Sequence, residues 1–208
     1  MKNRKKIWTG VCLLLAFSLW TAAIRLIDLR AIGPNGSVVG FAALNGAFYN
    51  LTGVHMTLYE ITDWLGLVPV AFAVGFGAVG LVQWIRRKRI TKVDRGILAL
   101  GVFYIAVMAA YLFFESYVVN YRPVLINGYL EVSYPSSTTL LVMCVMPTAA
   151  MQMKERVKNA TWIVWAIYGF TVFMVVGRLT CGVHWLTDII GGALLSAGLV
   201  MLYDGWRK

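Results

Sequence analysis

Charge is scarce in this chain, and negative charge scarcest. Only 13% of the 208 residues are charged, with nine Asp and Glu against 19 Lys and Arg, and there are two histidines. Hydrophobic residues make up 60% and mean hydropathy is +0.72. Such a composition excludes an ordinary soluble core and indicates an integral membrane protein. The three cysteines, Cys12, Cys144 and Cys181, are odd in number and lie in or beside apolar stretches. They describe neither a disulfide framework nor a zinc site. No tandem repeat is present. The net charge of +10 does not point to nucleic acid, because the basic residues cluster between apolar runs instead of forming one basic face.

What the chain has is apolar length. Uncharged or nearly uncharged runs cover 7–24, 64–85, 97–114, 139–153, 160–176 and 185–203. Runs of this length read as membrane crossings. The expected fold is therefore all-α, a polytopic membrane protein with six transmembrane helices in one bundle. The first run follows Lys2, Arg4, Lys5 and Lys6. It is long for a signal peptide and lacks a good cleavage site, so it reads as a retained signal anchor. Residues 25–63 are mixed, with a turn cluster at Gly33-Pro34-Asn35-Gly36. Within them Val38 to Leu51 reads as a helix in the interface or a re-entrant piece. The expected division is an N-terminal two-span region at 1–96, with an external interfacial segment, and a core at 97–208.

Charge fixes the expected orientation. The N-terminus, the 86–95 loop, the 154–158 loop and the C-terminus together hold 15 of the 19 Lys and Arg. The positive-inside rule places both termini in the cytoplasm. Arg25, Arg30, Arg122 and Arg178 are left on the outer face.

The stretch Gly177-Arg178-Leu-Thr-Cys-Gly-Val-His184-Trp-Leu-Thr-Asp188 places ionisable groups at a membrane boundary, where they are expensive and usually functional. On a helix, His184 and Asp188 would share a face one turn apart. The carboxylate would hold one imidazole nitrogen and leave the other free as nucleophile or base. Arg178 offers a planar fork suited to phosphate oxygens. A structural alternative is a histidine packed at a helix end beside an Arg–Asp pair. The topology brings Arg122 and Ser136 to the same membrane edge, which favours chemistry.

These residues resemble the type 2 phosphatidic acid phosphatase family, which shares its site with vanadium haloperoxidases. The family's motifs, Lys-x6-Arg-Pro, Pro-Ser-Gly-His and Ser-Arg-x5-His-x3-Asp, are met here by Glu115-x6-Arg122-Pro123, Pro135-Ser136-Ser137-Thr138 and Gly177-Arg178-x5-His184-x3-Asp188. The resemblance implies a bundle of six spans that hydrolyses a lipid phosphate or diphosphate at the outer face of the cell membrane, with no metal or other cofactor. By position, His184 would form a phosphohistidine and Asp188 would orient it. Arg122 and Arg178 would clamp phosphate oxygens, and Ser136, Ser137, Thr138 and Glu115 would line the substrate site. The partners it implies are a phosphorylated lipid substrate and membrane lipids, with no nucleic acid.

Three positions depart from the pattern. Glu115 stands where the family has a lysine. Seven residues before Arg122, it would share a helix face with that arginine and hold it, or else act as a replacement acid. Thr138 stands where the family has the histidine that protonates the leaving oxygen, and a threonine hydroxyl is a poor acid. Gly177 replaces a serine. A diphosphate leaving group needs little protonation, so diphosphates suit such a site better than monoesters. The alternative is a non-catalytic lipid-phosphate-binding membrane protein that has lost the acid histidine.

Overall fold

The computed structural model describes residues 2–207. The described residues form eight α-helices in order: α1 (Lys2–Ile24), α2 (Ala42–Thr52), α3 (Met56–Leu65), α4 (Leu67–Arg87), α5 (Arg95–Ser116), α6 (Ser137–Arg156), α7 (Thr161–Thr180) and α8 (Leu186–Trp206). Among the described residues the only β-type pairing is isolated bridges, two of them in the loop between α5 and α6. The fold is all-α, as composition and run length require: with no water in the bilayer core, a helix satisfies its own backbone groups.

Among the described residues, five helical segments are long and apolar enough to cross a membrane: Asn3–Ile24, Met56–Arg87, Arg95–Ser116, Thr161–Thr180 and Leu186–Trp206. The protein is thus a multi-pass membrane protein. The expected fourth span is a helix, α6, but it does not reach that apolarity, so the count of six rests on α6. The physical reason is its position. α6 packs against α4, α5, α7 and α8, and ten of its residues are buried. Its polar residues therefore meet protein and not lipid: Thr148 Oγ1 donates to Cys144 O at 2.8 Å, and Gln152 Nε2 donates to Tyr203 Oη at 3.0 Å. A helix enclosed by other helices needs no uniformly apolar surface.

The expected second span begins earlier than its apolar run. The helical segment starts at Met56 and is interrupted at Gly66, where the Gly66 N–H bonds back to Thr62 O and Asp63 O at 3.1 and 2.9 Å. Pro69 sits in the first turn of α4, where a missing N–H is harmless; it would have broken a continuous helix. α3 thus occupies part of the stretch that sequence alone left as mixed. The Val38–Leu51 region does contain a helix, α2.

α1 is packed into the bundle. It lies along α8, and Phe17 and Ile24 join a core cluster with residues of α4, α5, α6 and α8. Trp20 Nε1 donates to Thr187 O at 3.1 Å, Thr21 Oγ1 bonds Tyr134 Oη at 2.7 Å, and Lys6 pairs with Asp204. At the other side of α8's start, Asn45 of α2 exchanges hydrogen bonds with Thr187: Nδ2 to Oγ1 at 3.0 Å, and the Thr187 N–H to Oδ1 at 3.2 Å. The N-terminus of α8 is therefore held from two directions, which fixes the segment carrying His184 and Asp188.

Candidate active site

The site forms where the C-terminal ends of α5 and α7 meet the N-terminal ends of α6 and α8. His184 lies in the turn between α7 and α8, one residue before Trp185, the N-cap of α8. The expected helical pairing of His184 with Asp188 is thus corrected. Asp188 is the third residue of α8, and its Oδ2 accepts the Trp185 N–H at 3.0 Å. A carboxylate at this position caps orphan donors and complements the helix dipole.

Asp188 does not bond His184 directly; Nδ1 and Oδ2 are 3.9 Å apart. Ser133 stands between them. Its hydroxyl donates to Asp188 Oδ2 and lies 3.1 Å from His184 Nδ1. A serine hydroxyl has one hydrogen. With that hydrogen on Asp188, Ser133 Oγ accepts from His184 Nδ1–H, which leaves the lone pair of the ring on Nε2. Asn120 Nδ2 completes the shell, donating to Asp188 Oδ1 at 3.1 Å. Asp188 is fully buried and His184 is 4% exposed. Burial holds the imidazole well below its ordinary range, with Arg122 and Arg178 acting in the same direction, so the ring is neutral.

Five buried side-chain atoms here have no hydrogen-bond partner among the described residues: Nε and Nη1 of Arg122, Nε and Nη1 of Arg178, and Nε2 of His184. Buried polar atoms are almost always paired, so a convergence of such orphans needs a cause. Four are cationic donors and the fifth is a lone pair in their field. Arg178 is 2% exposed. Its Nη2 donates to Asp63 Oδ1 of α3 at 2.6 Å. The Tyr59 ring faces both guanidinium groups, 4.8 Å from Arg178 Cζ and 5.7 Å from Arg122 Cζ. The missing partner that suits this set is an anion with several oxygens.

Arg122 is not held by Glu115, which corrects the shared-face expectation. α5 ends at Ser116, and Arg122 lies beyond it in a hairpin-like loop where its N–H donates to Glu131 O at 3.0 Å. Its Nε is 3.1 Å from Glu131 Oε2, an ion pair whose angle leaves the N–H without an acceptor. Glu115 is exposed and lines a small recess together with Ser133, Ser137 and His184.

The Pro135–Thr138 segment opens α6. Ser136 is its N-cap: Oγ accepts the Thr139 N–H at 3.4 Å, and the Ser136 N–H donates to Asp188 O at 3.2 Å. The Ser136 N–H is thus taken up by the start of α8. The N–H groups of Ser137 and Thr138 begin the helix, where donors have no intrahelical partner and favour anions. Ser137 lines both the recess and an apolar cleft of about 380 Å³ between α4, α5 and α6; Thr138 lines the cleft. Gly182, in the left-handed region at φ 72°, lets the backbone approach the loop between α2 and α3, where a Cβ would meet Gly53 O at 1.9 Å. His55 is exposed, and its N–H donates to Cys181 O at 2.9 Å, tying the start of α3 to the same segment.

Sequence reasoning placed His184, Asp188, Arg178, Arg122, Ser136, Ser137, Thr138 and Glu115 about one site; the structure gathers His184, Asp188, Arg178, Arg122 and Ser136, sets Ser137 and Glu115 at the adjoining recess, and leaves Thr138 lining the cleft. It missed Ser133, Asn120, Tyr59, Asp63 and Glu131. For Glu131 a partial signal existed: Asn127-Gly128 is a hairpin turn that folds the Arg122 and Glu131 segments together, but regular pairing outward from it would set Arg122 against Ser133, and the Tyr121–Val132 bridge is shifted by two positions from that register. The others carry no local signal.

Comparison with known proteins gives the family and the fold. The sequence model of the PAP2 superfamily matches residues 98–207. The fold is similar to that in a structure described as the crystal structure of the first transmembrane PAP2 type phosphatidylglycerolphosphate phosphatase from Bacillus subtilis. The TM-score is 0.64 at 20% identity, covering 95% of this chain and 94% of that one. No curated protein sequence matches the chain.

Proposed function

From the PAP2 superfamily, to which this chain belongs, we propose a lipid phosphatase that cleaves a lipid phosphate or diphosphate at the outer membrane face through a phosphohistidine on His184. The observation that carries the reading is the set of orphaned buried atoms on Arg122, Arg178 and His184. A phosphoryl group supplies what these atoms lack: oxygens for the two guanidinium edges and phosphorus opposite Nε2.

In this mechanism the lone pair of His184 Nε2 forms a bond to phosphorus while the bond to the leaving oxygen breaks. The leaving oxygen departs with that electron pair. The imidazole becomes cationic, and its Nδ1–H is held by Ser133, which is anchored on the buried carboxylate of Asp188. This is the triad logic of an orienting acid acting through an intervening hydroxyl. Arg122 and Arg178 neutralise charge on the non-transferred oxygens, the main task in phosphoryl transfer. Water then attacks phosphorus, a proton passes to solvent, and phosphate leaves with His184 neutral again. The low proton affinity of His184 supports the first step, since only a neutral ring attacks. The apolar cleft beside Ser137 and Thr138 suits a hydrocarbon chain.

No strong acid stands at Thr138, so leaving groups that are stable as anions should be favoured. The test is phosphate release by purified protein from a panel of lipid monophosphates and diphosphates, with acid-labile labelling of His184 as the second readout. Diphosphates should turn over faster. Binding of phosphorylated lipids without any release would establish the non-catalytic alternative. Reporter fusions after residues 6, 90, 156 and 208 should read cytoplasmic and one near Gly128 external; an external reading at 90 would reverse the proposed orientation.

A further inference from the structure

We infer that α3, which lies before the segment matched by the family, is a positioning element for the phosphate clamp, with Asp63 and Tyr59 setting the orientation of Arg178. The inference rests on the proposed phosphate site. Arg178 has two donor edges, Nε with Nη2 and Nη1 with Nη2. The shared corner, Nη2, is bonded to Asp63 at 2.6 Å, while Nε and Nη1, one on each edge, are buried and free. A guanidinium is rigid and planar, so fixing the shared corner sets the directions of the remaining N–H groups. Tyr59, one turn before Asp63 on α3, bounds the guanidinium with its ring, 4.8 Å from Arg178 Cζ. One carboxylate and one ring thus remove the rotations that a long arginine otherwise retains.

α3 is seated to do this. Its start is bonded to Cys181, and farther along it meets α7 where Gly177 precedes the arginine. A Cβ at Gly177 would lie 2.7 Å from Thr62 Cγ2, so glycine permits the close crossing that brings Asp63 onto Arg178. The replacement of the family's serine by Gly177 is thereby matched by a contact that α3 supplies.

Asp63 could instead act as a competitor, neutralising Arg178 against substrate. Exposure argues against this. The Asp63 side chain is 61% exposed, so its charge is largely screened, whereas Arg178 is 2% exposed and depends on the bond for alignment. The acceptor oxygen, more than the charge, should matter.

The test uses the full chain in detergent or lipid nanodiscs and three variants, Asp63→Ala, Asp63→Asn and Asp63→Glu. Inorganic phosphate binding is read by calorimetry, kcat and KM with farnesyl diphosphate, and folding by thermal denaturation. Losing a hydrogen bond to a charged group predicts a fall of about 10–100-fold in both phosphate affinity and kcat/KM for Asp63→Ala. Asp63→Glu keeps the charge but displaces the acceptor by a methylene, and should fall likewise. Asp63→Asn keeps an acceptor in place and should stay within about threefold of the parent. Tighter phosphate binding in Asp63→Ala would establish competition and overturn positioning. So would unchanged binding in all three, or a loss in Asp63→Asn as deep as in Asp63→Ala. If Asp63→Ala does not fold, the contrast between Asp63→Asn and Asp63→Glu decides alone. A parent that binds phosphate without cleaving lipids leaves the inference standing and removes only the hydrolase reading; a parent that binds no phosphate overturns the clamp and the inference with it.

Discussion

The two ends of the helix bundle both gather charge, and they treat it in opposite ways. At the end where α4 gives way to α5, Asp94 accepts from Gln83 Nε2 at 2.9 Å, from Arg87 Nη1 at 2.9 Å and from Arg156 Nη1 at 3.0 Å. Arg207 nearby in the fold bonds Glu155 and Asp204 at 2.5 and 2.9 Å. These cations have partners, and the Arg87, Gln83 and Arg156 contacts draw the Asp94 carboxyl down to about 2. At the other end, Arg122 and Arg178 are also buried yet keep free N–H groups beside an unprotonated imidazole. A closed network joins helices; an open one, in a place where openness is costly, is arranged for a ligand. The difference teaches that burial together with missing partners, and not charge density, marks the site.

The comparison breaks most sharply at the histidine. His184→Ala should abolish phosphate release, and Arg178→Ala should lower turnover by about 10²–10³-fold, as removal of a preorganised donor to a transition-state oxyanion does. Both are read by phosphate release; full activity in His184→Ala would eliminate the phosphohistidine. Ser133→Ala comes next. It severs the link between Asp188 and the imidazole while leaving nucleophile and clamp in place. Loss of about 10–100-fold in kcat is expected, on the scale of outer-shell partners that orient a functional histidine. An unchanged kcat would show that the Ser133 bridge plays no part in turnover.

Acid sharpens the comparison without mutation. The folded-state pKa of His184 lies below its unfolded value, so the unfolded chain binds the extra proton first. The contribution to stability is complete above about pH 6.5, the ordinary imidazole value, and is lost as pH falls towards the folded pKa. Melting temperature should therefore decline below about pH 6.5 in the parent and less so in His184→Gln. The same neutrality predicts that kcat/KM does not fall with an apparent pKa near 6.5. The smallest effect belongs to the saturated end. Asp94→Asn should leave kcat/KM unchanged and lower stability by about 0.5–1 kcal/mol, since the group is over a third exposed and solvent screens its pairs. Thermal melts with parallel assays check both; a kinetic defect there would erase the distinction between the two ends.

Much of this was legible in the chain. Apolar runs announced the helices, and the spacing of Arg178, His184 and Asp188 announced the chemistry. Less legible was how those residues meet. The four-residue spacing suggested a helical face, whereas the residues straddle a helix cap and a serine 51 positions away joins them. α3 was hidden because its polar face, with Glu60 and Asp63, dilutes the apolar signal used to find spans. α6 was legible as a helix, but a short apolar run does not reveal whether lipid or protein surrounds it.

By itself the sequence determined what depends on neighbours along the chain: which segments are helical and apolar, where basic residues collect, and which side chains bear chemistry. Those are local properties of length, period and residue type. Tertiary structure alone decided which nitrogen of His184 is free, which arginine edges lack partners, and that Asp63 holds Arg178 across 115 residues of chain. These follow from distances of a few ångströms between groups far apart in sequence. The packing of α3 on α7, and of the α5–α6 loop on the start of α8, sets those distances.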